Sequence, residues 1–390
     1  MPHPERVNTR PSLGHPGASS GEWTRLQFTR REWLRGTIAA GLTAPQLAFS
    51  ATTTSPITAS KLGMPGLKPG RVVSVSHPGC LLDGRFQAAP IAQIIRAGML
   101  ELTDAPDLTA AWKLFFARGD VVGIKVNPVG GPLVISCPEV LHEIVRGLES
   151  AGVRRQDIVV YDRYRAQFLK RGFDRWLPEG VRWSWAVEDY DPVQLGMAGY
   201  DPEHFMDMAV TLPGQDPGNP AARRSYAAKF ITQEVDKLIN LPVLKHHQSA
   251  GVTLALKNLS HGLVNNVARS HSSNTLNVCG AFIPAVVALP VIRQKTVLHL
   301  LDGMRGVYHG GPSARPQFVW ENRTIYFATD PVALDHVGWE EIEKQRAAVG
   351  MKPILQAAPD RFSTFVHGQP EHIEIAGALG LGVFEKSKID

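Results

Sequence analysis

Cysteine is scarce in this chain. The 390 residues hold three, Cys80, Cys137 and Cys279, widely spaced and never in a CxxC pair. Such dispersal excludes a zinc ribbon and argues against an iron–sulfur cluster of the chain's own. Two readings remain. The three are small buried side chains, or one pair forms a disulfide in an oxidising compartment and leaves an odd thiol. Long apolar runs are missing beyond residue 50, so no stable membrane span is expected. There is no HExxH, no Walker loop and no GxGxxG, which removes the common zinc-protease and nucleotide-binding motifs. No nucleic-acid-binding motif is present either. The net charge does not argue for one. Residues 1–50 carry six Arg against three acidic residues, so +3 of the formal +5 belongs to them and +2 to the rest. Charge of one sign is therefore slight over most of the chain.

What the N-terminus does have is an ordered set of export features. Arg30-Arg31 precedes Trp33, Leu34 and Arg35, and Gly36–Ala48 is short and weakly apolar. Ala48-Phe49-Ser50 supplies small residues where a signal peptidase reads, so cleavage is expected after Ser50. Residues 1–50 read as a twin-arginine signal peptide. Residues 51–70, rich in Thr, Ser, Pro and Gly, read as a flexible leader. The expected partner is the twin-arginine export machinery, and the expected location is the periplasm or another extracytoplasmic space.

Residues 71–390 read as a single α/β domain. Apolar runs at Arg71–Ser76, Val121–Val126, Asp157–Tyr161, Val235–Asn240, Thr296–Leu301 and Thr324–Ala328 have strand character. Helical spacing appears over Ile91–Leu100, Leu108–Phe116, Pro138–Ala151, Phe282–Ile292 and Val332–Arg346. Alternation of the two predicts a mostly parallel sheet covered by helices on both faces. Residues 176–220 break the pattern and read as an irregular insertion with one or two edge strands. No internal repeat is visible.

Polar residues gather where predicted strands end, which is where open α/β sheets bind ligands. Lys125 and Asn127 end one strand, and Asp162 and Arg163 follow the next. Lys245, His246 and His247 follow the third, Asp302 ends the fourth, and Asp330 and Asp335 follow the fifth. Lys125, Lys245 and Lys257 all sit in apolar surroundings, where an ammonium group needs a partner or loses its proton more easily. Together they make an anion pocket; singly, each reads as a surface lysine. His246, His247, His261 and His271 are candidates for acid–base work or metal ligation, without a diagnostic spacing. Gly310-Gly311-Pro312 offers a loop whose backbone could approach a ligand.

These pieces resemble the domain-of-unknown-function family 362 (DUF 362), in its twin-arginine-exported branch. The resemblance is carried by Val122–Asn127, by Ile239–Lys245 with His247, and by Gly251–Leu259. Leu301-Asp302-Gly303, Gly310-Gly311-Pro312, Thr329–Asp335 and Ala376–Gly382 continue it. It implies a shared site of Lys125, Asn127, Lys245, His247, Lys257, Asn258, Asp302, Asp330 and Asp335. Many members carry a ferredoxin-type segment that this chain lacks. The cofactor is left open, a metal ion included. The first functional expectation is an enzyme on a small anionic substrate, with His247 and Asp302 as catalytic residues and Lys125, Asn127, Lys245, Lys257, Asn258, Asp330 and Asp335 binding ligand. The alternatives are a non-catalytic protein that binds or delivers an anionic ligand or cofactor, and an accessory subunit of an exported complex.

Overall fold

A computed structural model describes residues 49–53 and 60–390. All but the last two residues of the expected signal peptide lie outside the described residues. Those two belong to a strand, Phe49–Thr53, which pairs antiparallel with Tyr200–Met208, so it straddles the expected cleavage position.

Ten strands form the main sheet: β1 (Val73–Ser76), β2 (Val122–Lys125), β3 (Ile158–Tyr161), β4 (Arg182–Ser184), β5 (Lys237–Asn240), β6 (Val243–His247), β7 (Gly251–Val252), β8 (Thr296–Val307), β9 (Val319–Trp320) and β10 (Thr324–Ala328). The central run β8-β5-β2-β3-β4 is parallel throughout. β6 also lies parallel to β8, while β1, β7, β9 and β10 add antiparallel pairings. The mostly parallel α/β sheet expected from the apolar runs is therefore what forms.

Alternation along each strand divides the core in two. Val159 and Tyr161 face one apolar cluster, and Ile158 and Val160 face the other. On the first face lie α3 (Leu254–Leu263), α4 (Cys279–Val287), α5 (Pro331–Ala348) and α6 (His372–Ala378). The second face is covered by α1 (Ala88–Thr103) and α2 (Pro138–Ser150).

Two expectations need correction. The helix expected over Phe282–Ile292 is two helices, α4 and Pro290–Lys295, because Pro290 has no N–H to continue the first and instead opens the second. Residues 60–70 do not run free. Met64 is buried in the first core, the Lys68 N–H donates to Thr329 Oγ1, and the Gly70 N–H donates to Asp330 Oδ2. The insertion over 176–220 carries the expected edge strand, β4 of the main sheet, and adds Tyr200–Met208, the middle strand of a three-stranded sheet with Phe49–Thr53 and Arg224–Ala228.

Candidate functional site

The parallel strands end at a cavity of ≈ 510 Å³, the size range of small-molecule sites. Lys125 from the end of β2, Asp162 and Arg163 after β3, Lys245 and His247 from β6, and Lys257 and Asn258 from α3 all line it. Sequence reasoning placed Lys125, Asn127, Lys245, His247, Lys257 and Asn258 together, and the fold brings all six to this one cavity.

The three lysines are held differently. Lys125 Nζ donates to Asp162 Oδ1 at 2.6 Å and to Val126 O, forming a buried ion pair. Its stem passes over Gly262 of α3, where an added Cβ would lie 2.2 Å from Lys125 Cε and would displace the lysine from its present path. Lys245 Nζ donates to Asn127 Oδ1 at 2.8 Å and to the Val129 carbonyl. Lys257 Nζ has no hydrogen-bond partner among the described residues and opens onto the cavity. Burial pushes the Lys245 ammonium down to about 7, helped by the charges of Lys257 and Lys125. Burial brings Lys257 down to about 8, against the opposing influence of nearby Cys279.

Side-chain amides carry the support inward. Asn127 Nδ2 donates to Asn258 Oδ1 (3.0 Å), Asn258 Nδ2 to Asn240 Oδ1 (2.8 Å), and Asn240 Nδ2 to the Ala255 carbonyl (3.1 Å). Each amide is both donor and acceptor, so the row fixes the orientation of every member and leaves the Asn127 oxygen for Lys245. Arg163 is fully engaged, through Tyr200 Oη, Gln194 Oε1 and the His261 carbonyl. Thr253 Oγ1, also on the cavity wall, is buried without a partner.

His247 lines the cavity with a defined tautomer. Its Nδ1 accepts from the backbone N–H of Ser249 at 3.2 Å and of Ala250 at 3.4 Å. The ring proton therefore sits on Nε2. Burial and nearby Lys257 hold its pKa well below the usual histidine value, so the ring is neutral. His261 and His271 line the same cavity, whereas His246 turns away to accept from the Gly311 N–H.

The three acids expected at this site are elsewhere. Asp302 alternates with Leu301 along β8 and so points to the opposite face, beside Leu300 and Met304. There it accepts the N–H of Cys137 at the start of α2 and of Met304. Asp330 caps α5 through Val332 and Ala333 and also accepts from Gly70 and Val383. Asp335 accepts from Ala255 and Leu256, the first turn of α3. All three are built into helix starts, where orphan N–H groups need an acceptor. The glycine loop is also structural: a Cβ on Gly311 would lie 1.8 Å from the His246 carbonyl oxygen. Among the described residues Asp162 is the one carboxylate on the cavity wall, and Lys125 already occupies it.

Residues 122–340 match the family model described as Domain of unknown function (DUF362). This chain belongs to the DUF362 family. The DUF362 segment opens at β2 and closes within α5, and it contains every cavity residue named above. No curated protein matches the chain.

Sequence reasoning missed several DUF362-segment residues at the site. Asn240 lies inside an apolar run, and only its position at a strand end marked it. Thr253 carried no pattern. The three cysteines are free thiols. Cys80 and Cys137 pack in one core and Cys279 in the other, so they do not form a common ligand set for an iron–sulfur cluster.

Proposed function

We propose that the cavity binds a small organic anion bearing a carboxylate or phosphate, and that the protein acts on it as an enzyme. The observation that carries this reading is Lys257. It is a buried ammonium with no hydrogen-bond partner among the described residues, in a cavity whose one carboxylate among those residues is already paired. A buried cation left alone is costly, and an anionic ligand supplies the missing charge. Lys245, Thr253 and the Nε2–H of His247 add donors around the same space. Tyr164 and Tyr190, whose rings meet edge-on at 5.9 Å, give the wall an aromatic part suited to a ligand with an apolar body.

In this reading His247 donates a hydrogen bond to the ligand rather than taking its proton, because Nδ1 is already occupied. Lys245, titrating near 7, is the group suited to proton transfer at neutral pH. Asp302 takes no part. The test is calorimetric titration of the full chain with a panel of phosphorylated and carboxylated compounds. One site is expected, with affinity lost in Lys257→Met and falling as pH rises past 8. No binding across the panel, or binding untouched by Lys257→Met, overturns the reading. Turnover of the tightest binder separates an enzyme from a delivery protein.

We also propose that the chain is exported through the twin-arginine route, as Arg30-Arg31 and the weakly apolar run behind them support. Arg30→Lys with Arg31→Lys should strand the precursor in the cytoplasm; normal export of that variant contradicts the proposal.

A further inference from the structure

Beside the lysines, at the wall of the same cavity, lies a cluster with different chemistry. One donor atom from each of His261, His271 and Cys279 lies within 4.8 Å of the other two. They come from three separate elements: the last turn of α3, the residue after the short helix Ala268–Ser270, and the first residue of α4. The Ser270 hydroxyl marks where they converge. Its oxygen is 3.1 Å from His261 Nε2, 2.8 Å from His271 Nδ1 and 3.8 Å from Cys279 Sγ.

We infer that His261, His271 and Cys279 form a binding site for a single zinc-class ion, reachable from the cavity. Two imidazoles and a thiol make a borderline-soft donor set, which suits Zn²⁺ and not Mg²⁺ or Ca²⁺. Bonds of about 2.1 Å to nitrogen and 2.3 Å to sulfur require donors about 3.5 Å apart in a tetrahedron. Closing the observed triangle to that size needs side-chain shifts of only about 1 Å. His261 is already supported from behind, since its Nδ1 meets Ser260 Oγ at 3.0 Å, the kind of second contact that orients a ligating imidazole. Three protein donors leave a fourth position, as in zinc sites that bind water or substrate. His261 and His271 line the cavity, Cys279 lies behind them, and the Ser270 hydroxyl sits against all three donors, so it is the nearest group to that fourth position. The inference does not depend on the anion reading, since the three donors are protein groups.

The test uses the full chain, stripped with a chelator and titrated with Co²⁺ alone. One equivalent is expected, with tetrahedral d–d bands and a thiolate-to-cobalt charge-transfer band, both bleached by Zn²⁺. Cys279→Ser should remove the charge-transfer band. His271→Asn should weaken binding by about 10–100-fold. Because the wild-type spectrum reports the thiolate directly, the proposal stands or falls even where a variant fails to fold. A wild type that binds no Co²⁺ or shows no thiolate band overturns it, as does a band that survives Cys279→Ser.

Discussion

Two sets of buried charges lie near the same sheet and are handled in opposite ways. Asp302, Asp330 and Asp335 each accept at least two backbone N–H groups and tie a helix start to its neighbours. Lys245 and Lys257 are paired with no carboxylate among the described residues. One rests on an amide oxygen and a carbonyl, and the other has no hydrogen-bond partner among the described residues, with Cys279 as its electrostatic neighbour. In sequence both sets look alike, as charges beside apolar runs. The difference is that a folded chain always has spare N–H groups at helix starts to hold an acid, but far fewer fixed acceptors for an ammonium. Acids buried this way hold the structure together; lysines buried without a partner point to a ligand.

Removing the acids should have the largest effect. Asp330→Ala strips four N–H groups of their acceptor, and Asp335→Ala strips two at the start of the helix that carries Lys257. Each should cost about 3 kcal/mol in urea unfolding. Loss of under half that amount in both would show that the acids are not structural.

Lys257→Met should do the reverse. It removes an uncompensated charge, so unfolding free energy should rise by about 1 kcal/mol while ligand affinity falls. Destabilisation by the same substitution would mean that Lys257 has a protein partner after all.

The pH dependence is a subtler check. Unfolded lysines titrate near 10.5, but in the fold Lys245 titrates at about 7 and Lys257 at about 8. Between those values the unfolded chain holds protons that the folded chain has shed, so stability should climb from about pH 7 towards pH 10. His271 adds the same sign lower down. Burial brings it from 6.5 to about 3, so stability should fall as pH drops below 6.5. Asp302 works against this at acid pH, because burial lifts its carboxyl from 3.8 to about 6. Urea midpoints at pH 5, 7 and 9 measure the trend, and the rise above pH 7 should flatten in Lys245→Met with Lys257→Met.

The fold was legible where period and length agree. Thr324–Ala328 forms as expected, and Val121–Val126 differs from β2 only at its ends. Less visible were β6 and α3, because Leu241–Gly262 mixes polar and apolar residues without a clean period, its polar side chains being buried against one another. The lysines of the site were legible because a charge in an apolar run is conspicuous. The acids were misplaced because sequence does not show which face of a strand a residue takes: Asp302 is adjacent to Leu301 in the chain and on the other side of the sheet in space. The histidine–cysteine cluster was illegible as a unit, since its members come from three elements and meet only through the packing of α3 on α4.

The central claim is that Lys257 is a buried ammonium with no hydrogen-bond partner among the described residues. Heteronuclear NMR of the full chain labelled at lysine Cε and Nζ, assigned by Lys257→Met, measures its ionisation directly. Titration near pH 8 without ligand, moving upward when a panel anion binds, is the predicted result. An ordinary lysine midpoint near 10.5, unmoved by any anion, would contradict it.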